Sequence, residues 1–168
     1  NVIGEDNRDP NPAELDAMKL LVRQAMEEGA MGVGTSLIYP PAFFAKTSEL
    51  IELTKVAGEY GGGYISHMRS EGNTIYEALE ELITIAKEAK CHGELYHIKL
   101  AGKDNWPKID SVIRRIERAR SEGIDISANM YTYTAGATGL TACFPPSLQD
   151  GGFDKLWKRL GENKIKAD

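Results

Sequence analysis

The sequence predicts an α/β fold of parallel strands, because amphipathic stretches alternate with short β-rich runs along the chain. The repeat is about 30 residues, the size of a βα unit, and the order is α-β-α-β-α-β-α-β. One helix per strand is typical of parallel sheets. Two architectures fit: an open doubly wound sheet and a (β/α)8 barrel, of which four strands would be half. The run Gly32-Val33-Gly34-Thr35 lacks the third glycine of a dinucleotide-binding loop, which weakens the first architecture.

The first helix has a complete start signal. Asn11 is a good N-cap, Pro12 suits the first helical position, and Glu14 completes a capping box. Apolar residues then follow at helical spacing, and Gly29 marks the end of the helix. Residues 31–37 form the first predicted strand.

The next two helices are predicted from similar signals. Thr47 is expected to cap the second helix, which the glycines at 61–63 end. Residues 64–67 are the second strand. Thr74 and Glu77 have the spacing of a capping box at the start of the third helix.

The remaining elements follow the same alternation. Residues 94–98 are the third predicted strand, Pro107 opens a helix that stops at Gly123, and residues 124–130 are the fourth strand. After Tyr133 the sequence becomes rich in Gly, Thr and Pro, which predicts a long loop or insertion with a short helix near 153–160.

Composition excludes several classes of function. The 168 residues are 42% hydrophobic and 27% charged, with a net charge of −5, as in an ordinary globular domain. The sequence has no stripe of Lys and Arg residues of the kind that binds nucleic acid. No apolar stretch approaches the roughly 20 residues of a membrane helix. Cys91 and Cys143 form no CxxC, so we expect a reduced, cytoplasmic protein. The chain starts at Asn1 rather than Met, so we expect either that something was removed upstream or that it is an excerpt from a longer protein.

Two histidines occupy matched positions. His67 and His97 each lie at the carboxyl end of a predicted strand, just before a polar loop. Active sites of parallel α/β folds assemble at that edge. Neighbouring strands lie about 4.8 Å apart, so both rings could reach one metal ion. Two hydrogen-bonded structural histidines are the alternative. The pattern leaves both open, because a catalytic zinc takes at least three protein ligands.

A cation follows each of these histidines by two residues, Arg69 after His67 and Lys99 after His97. Residues i and i+2 of a strand share a face, so Lys99 is expected to point to the same side as His97. A buried ammonium is costly without an anion, and a substrate carboxylate would supply one. His92, at a helix end, is interpreted as a structural cation favoured by the helix dipole.

Four runs resemble the N-acyl-D-amino-acid deacylases of the amidohydrolase superfamily: GVGTSLIYPP (32–41), ISHMRSEG (65–72), YHIKLAGKDNW (96–106) and YTYTAGATGL (131–140). The resemblance extends from residue 1 to about residue 152. It implies a partial (β/α)8 TIM-type barrel, about strands 4–7, over residues 1–135. Residues 136–168 would be the start of an insertion that forms a lid over the active site.

The resemblance also implies roles for individual residues. His67 and His97 match the histidines that bind a tightly held zinc ion. Lys99, Tyr131 and Thr138 match positions that bind the substrate, with Lys99 placed to meet its carboxylate.

The chain also departs from the family pattern. The family usually has Ser at position 137, where this chain has Ala137. It often has Pro at position 132 and Asp at position 129, where Thr132 and Asn129 stand here. The missing serine hydroxyl helps to hold the substrate carboxylate in the family, which puts substrate recognition in question.

The implied function is zinc-dependent cleavage of the amide of N-acyl-D-amino acids to a D-amino acid and a carboxylate. The family's His-x-His, bridging cysteine and catalytic aspartate lie outside these residues, so no catalytic residue is expected within the chain, and we expect it to be inactive alone. Two alternatives remain: a related amidohydrolase acting on acyl-D-Glu, acyl-D-Asp or cyclic amides, and a non-catalytic piece that self-associates through exposed sheet edges. The expected partner is a small molecule, with neither nucleic acid nor membrane, and a homo-oligomer fits either alternative.

Overall fold

Helices and strands alternate along the described part of the chain, residues 2–162, in the computed structural model. In chain order they are α1 (Pro12–Glu27), β1 (Gly32–Ser36), α2 (Thr47–Glu59), β2 (Gly63–His67), α3 (Ile75–Ala89), β3 (Gly93–Leu95), α4 (Ile109–Ser121), β4 (Ile126–Ala128) and α5 (Gly152–Gly161). The four strands form one parallel sheet in the order β1-β2-β3-β4. The predicted alternation and strand direction are confirmed.

The first four helices cover one face of this sheet. Crossovers between parallel strands are nearly always right-handed, which places successive helices on the same side, and α1 to α4 contact one another in sequence order. The register pairs Ser36 with His67, and Leu95 with both Ser66 and Ala128. The carboxyl ends of the strands therefore lie along one edge.

The core lies between the sheet and the helices. Along β2, Tyr64 and Ser66 are buried, whereas Ile65 between them is 39% exposed, because alternate strand residues point to opposite faces. The buried apolar cluster comprises Leu37, Leu50, Tyr64, Met68, Ile75, Ala78, Leu79, Leu82, Ile83, Ile85, Leu95, Val112, Ile116, Ala119 and Ile126. The other face of the sheet carries the paired residues Ile65, Glu94 and Ser127.

The capping box of α1 is confirmed. Asn11 Oδ1 accepts from the Glu14 backbone N at 3.0 Å, and Glu14 Oε2 accepts from the Asn11 backbone N at 2.8 Å. Arg8 donates to both oxygens of the same carboxylate at 2.7 Å. The hydrogen bond from Arg8, followed by that from Asn11, lowers the pKa of Glu14 to about 2.

Two other predicted caps are wrong. Thr47 is the first residue of α2 and not its cap, which is Lys46. The Thr47 hydroxyl donates to Glu81 Oε1 at 2.8 Å instead. Thr74 does occupy the cap position of α3, but its side chain makes no capping bond there, and its φ and ψ of −102° and 34° are not the extended conformation of a side-chain cap.

The third and fourth strands are shorter than predicted. β3 ends at Leu95 because His97 has φ of 45°, in the left-handed region, which takes the backbone out of the regular ladder. Backbone contact continues irregularly, with the Ile98 N–H donating to the Asn129 carbonyl at 2.8 Å. Pro107 lies in a 3-10 turn, Lys103–Lys108, so α4 begins two residues later than predicted.

The segment after β4 is mostly irregular, as predicted, and ends in the predicted short helix α5. This segment returns to the start of the described chain: the Asn7 N–H donates to Asp150 Oδ1 at 2.6 Å, and Lys155 Nζ donates to Asp6 Oδ1 at 2.8 Å. Residues 163–168, the end of the predicted lid segment, lie outside the described residues. Within residues 2–162, no helix combines the length and apolarity needed to cross a membrane.

Candidate metal centre

The two predicted histidines meet at the carboxyl edge of the sheet. His67 is the last residue of β2, and His97 lies two residues beyond β3. His67 Nδ1 is 2.8 Å from His97 Nε2, and the rings are nearly perpendicular, at 84° with centroids 4.3 Å apart. The geometry is the one that the matched positions predicted, and metal binding itself stays a prediction.

The backbone of His97 is held in place by Asn129. Asn129 Oδ1 accepts from the His97 backbone N at 2.7 Å, and Asn129 Nδ2 donates to Glu94 Oε1, also at 2.7 Å. The amide accepts through its oxygen and donates through its nitrogen, whereas an ionised carboxylate can only accept. The Asp that the related family often has at this position would instead place a second negative charge beside Glu94.

Glu71 is the functional candidate that the sequence reasoning missed. It lies four residues after His67 and is only 9% exposed. One ligand atom each from His67, Glu71 and His97 lie within 4.8 Å of one another. A carboxylate in the loop after a strand that ends in histidine was a usable signal, because this edge is where such sites assemble.

The residues fit a divalent metal ion. Burial lowers the pKa of His67, opposed by the Glu71 carboxylate and reinforced by His97 and Lys99. The lowered pKa favours the neutral ring, which is the form of imidazole that binds metals. Imidazole nitrogen is a ligand type that zinc takes in proteins, and a carboxylate beside ligating histidines either binds the ion or accepts from the rings.

Lys99 lies beside this cluster. Its Nζ donates to Glu71 Oε1 at 2.5 Å, lies 2.7 Å from His97 Nδ1, and sits 5.6 Å from the centre of the Tyr131 ring. Glu71 therefore supplies the anion that the sequence reasoning assigned to a substrate. The prediction that Lys99 shares a strand face with His97 does not apply, because β3 ends at Leu95 and neither residue lies on the strand.

One cavity joins all five predicted site residues. It has a volume of about 390 Å³, and the residues that line it include His67, His97, Lys99, Tyr131 and Thr138, together with Tyr39, Glu71 and Ala137. Tyr39 was not among the predicted site residues. Its ring lies 5.3 Å from that of His67, and its hydroxyl is 2.8 Å from Thr138 Oγ1.

Arg69 points away from the cavity. Its guanidinium donates to both oxygens of Glu81, at 2.8 and 2.9 Å, and to the carbonyls of Phe43 and Ala45. The cation after His67 therefore ties the loop that follows β1 to helix α3, and it has no contact with the metal cluster in the described structure.

His92 lies at the amino end of the sheet, directly before β3. His92 Nδ1 is 2.9 Å from Asp125 Oδ1, and its Nε2 is 3.4 Å from Glu94 Oε2. The hydrogen bond to Asp125, with a smaller contribution from Glu94, raises the pKa of His92 against the effect of burial. The imidazole has the structural role that was predicted, but its partners are these carboxylates.

Comparison with known proteins gives consistent relatives. No family model matches the chain. The chain is 34% identical over 165 residues to D-aminoacylase of Alcaligenes xylosoxydans xylosoxydans, covering 90% of this chain and 34% of that protein. It is 33% identical over 129 residues to N-acyl-D-glutamate deacylase and 36% identical over 119 residues to N-acyl-D-aspartate deacylase of the same organism. These matches cover 77% and 70% of this chain but 26% and 24% of the relatives.

Solved structures agree in fold. A crystal structure of D-aminoacylase, described as defining a novel subset of amidohydrolases, matches with a TM-score of 0.77 and 36% identity over 80% of this chain and 28% of that one. N-acyl-D-glutamate deacylase of Bordetella bronchiseptica, in complex with zinc and a phosphonate mimic of the tetrahedral intermediate, matches with a TM-score of 0.73 and 32% identity, over 76% of this chain and 27% of that one. The parallel sheet with its helices is therefore part of the amidohydrolase barrel. The chain belongs with the D-aminoacylase group of amidohydrolases, and it spans about one third of the length of the curated D-aminoacylase that it matches.

Proposed function

We propose that the protein containing these residues is a zinc-dependent hydrolase that cleaves the amide of N-acyl-D-amino acids to a D-amino acid and a carboxylate. The observation that carries the proposal is the 2.8 Å approach of His67 Nδ1 to His97 Nε2 at the carboxyl edge of the sheet. Relatives named as D-aminoacylases and as acyl-D-glutamate and acyl-D-aspartate deacylases support the reaction class.

His67 and His97 would hold the metal. Bound zinc supplies an activated water near neutral pH and polarises the substrate carbonyl. The rings are suited to this because both are mostly buried and their facing nitrogens converge. A catalytic zinc takes at least three protein ligands, and the family's further ligands and its proton-transferring aspartate belong to other parts of the barrel. We therefore expect the 168 residues alone to be inactive.

Lys99, Tyr131 and Thr138 would bind the substrate. An ammonium has three N–H donors; one goes to Glu71 Oε1, which leaves donors for a substrate carboxylate. Tyr131 places its ring against this ammonium. Thr138 brings a hydroxyl to the cavity next to the methyl group of Ala137.

The main alternative keeps the chemistry and changes the side-chain preference. The acyl-D-glutamate and acyl-D-aspartate deacylases are 33% and 36% identical to this chain, which matches the 34% of the D-aminoacylase. Identity therefore does not separate these substrates, and cyclic amides remain a further candidate class. The fold is shared by the solved structures of D-aminoacylase and N-acyl-D-glutamate deacylase, so it does not separate these substrates either.

A test of the function uses the full-length protein, loaded with zinc, and a panel of acylated D- and L-amino acids that includes Glu, Asp and neutral side chains, with a cyclic amide. We expect amide hydrolysis restricted to the acyl-D-amino acids. The proposal is contradicted if the zinc-loaded protein hydrolyses only the cyclic amide, or if it hydrolyses no amide in the panel.

A second candidate function is a non-catalytic piece that self-associates. The observation that favours it is the uncovered face of the sheet, where Ile65 is 39% exposed and the edge strands are unpaired within the described residues. Light scattering on the 168-residue chain discriminates: a stable monomer argues against self-association, and a defined oligomer supports it.

A further inference from the structure

Glu71 touches every charged or metal-binding group of the cluster through one oxygen. Glu71 Oε1 lies 2.5 Å from Lys99 Nζ, 3.2 Å from His97 Nδ1 and 3.4 Å from His67 Nε2. The carboxylate is 9% exposed, so these three groups replace the water that would otherwise solvate it. A buried carboxylate with this set of neighbours has a role beyond surface charge.

Each imidazole ring has one nitrogen that faces the other ring and one nitrogen on the side of Glu71. His67 Nδ1 and His97 Nε2 face each other at 2.8 Å, and the other two nitrogens face Glu71. A histidine bound to a metal through one nitrogen usually donates its other N–H to a carboxylate, which fixes the ring and increases its basicity as a ligand. We therefore assign the metal ion to the two facing nitrogens, His67 Nδ1 and His97 Nε2. The other two nitrogens are the ones that Glu71 serves as the outer carboxylate.

Two further observations favour this division. His67 Nε2 is buried and makes no hydrogen bond within the described residues, and Glu71 Oε1, 3.4 Å away, is an acceptor within reach of an N–H at this nitrogen. The ammonium of Lys99 lies against both Glu71 and His97 Nδ1. A positive charge there repels a divalent cation, which favours placing the ion on the opposite side of the rings.

We infer that Glu71 is a positioning residue rather than a metal ligand: it orients His67 and His97 through their outer nitrogens and holds the Lys99 ammonium at the edge of the substrate cavity. The inference rests on the proposed function. It links metal affinity to substrate binding through one carboxylate, because the oxygen that faces both rings also pairs with the cation assigned to the substrate carboxylate.

Substitution of Glu71 is therefore expected to change two quantities, the zinc affinity and KM. Glu71→Gln keeps the shape and one acceptor but removes the charge, and it is expected to weaken zinc binding about 10–100-fold, as loss of an outer carboxylate does. It should also raise KM, because Lys99 loses its anion and its fixed position. Glu71→Asp keeps the charge on a shorter arm and should give smaller changes in both quantities.

The experiment uses the full-length protein and four variants: Glu71→Gln, Glu71→Asp, His97→Ala and the control Glu80→Gln. Glu80 pairs with Arg115 on the exposed helix surface, away from the cavity. Zinc affinity is measured by chelator competition, coordination by the visible spectrum of the cobalt-substituted protein, substrate binding by KM, and folding by circular dichroism. If Glu71→Gln does not fold, Glu71→Asp carries the same comparison.

The outcomes separate the inference from the proposed function. Weaker zinc binding with an unchanged cobalt band pattern and a raised KM supports the positioning role. Loss of zinc as complete as in His97→Ala, or a changed cobalt coordination, makes Glu71 a ligand and overturns the inference while the hydrolase proposal stands. Zinc affinity and KM equal to those of Glu80→Gln also overturn it. If the unsubstituted protein binds no zinc, the proposed function fails and the inference fails with it.

Discussion

The Tyr39 hydroxyl lies 2.8 Å from the Thr138 hydroxyl, although 99 residues separate them in the chain. Tyr39 follows β1, and Thr138 belongs to the irregular segment after β4. Both line the cavity that contains the two histidines. This hydrogen bond therefore connects two loops across the mouth of the cavity.

Tyr39→Phe is expected to loosen the segment around Thr138. A single hydrogen bond contributes about 0.5–1.5 kcal/mol, so amide hydrogen exchange in residues 136–149 should increase by up to about tenfold while the fold is retained. Tyr133→Phe is the control, because the Tyr133 side chain is exposed and has no hydrogen-bond partner in residues 2–162. Equal exchange in the two variants would show that the Tyr39 contact does not hold this segment.

Lys99→Ala is expected to raise KM by about tenfold or more, which corresponds to 1.4 kcal/mol or more of lost binding. The reason is the loss of the ammonium that faces the cavity beside Tyr131. Steady-state kinetics of the full-length protein on an acyl-D-amino acid measure the effect, and Lys103→Ala, on an exposed turn, is the control. An unchanged KM in Lys99→Ala would remove Lys99 from the substrate site.

Arg69→Ala is expected to lower stability without removing zinc. The guanidinium pairs with Glu81 and with two loop carbonyls, and removal of one partner from a mostly buried pair costs about 3 kcal/mol. Urea unfolding of the full-length protein measures this. Arg118→Ala is the matched control, because its pair with Glu122 is exposed and worth about 0.3–0.5 kcal/mol. A loss of zinc in folded Arg69→Ala would place Arg69 in the site instead.

His92 gives a pH dependence. Its pKa is raised in the folded protein, chiefly by the hydrogen bond to Asp125. A raised pKa means that its contribution to stability is full below the unfolded value of about 6.5 and is lost as pH rises through the folded value. Urea midpoints from pH 5 to 9 should therefore fall less steeply above about pH 6.5 in His92→Gln than in the unsubstituted protein. Parallel curves would show that His92 does not gain stability from these carboxylates.

Much of the fold could be predicted from local signals. The capping box of Asn11 and Glu14 and the glycine after α1 place the first helix correctly, and alternation alone gives the parallel sheet. The matched positions of His67 and His97 place both rings on one edge, because parallel strands share the direction of their carboxyl ends.

The errors arose where a long-range contact decided the outcome. The Thr47 hydroxyl bonds Glu81, 34 residues away, instead of capping its own helix. β3 ends early because His97 takes a left-handed φ, which histidine adopts more often than most residues but still rarely. Glu71 had a sequence signal in its place after a strand that ends in histidine, but its contacts with Lys99 and the two imidazoles come from the fold alone.

Zinc content decides whether His67 and His97 share one metal ion. It is measured in the full-length protein, its His67→Ala and His97→Ala variants and a His92→Ala control, after dialysis against a weak chelator. We expect each of the first two variants to lose the tightly held zinc and the amide hydrolysis with it, whereas His92→Ala retains both, because its ring pairs with Asp125 at the amino end of the sheet. If His67→Ala and His97→Ala both keep as much zinc as the unsubstituted protein, the two histidines do not share a metal site.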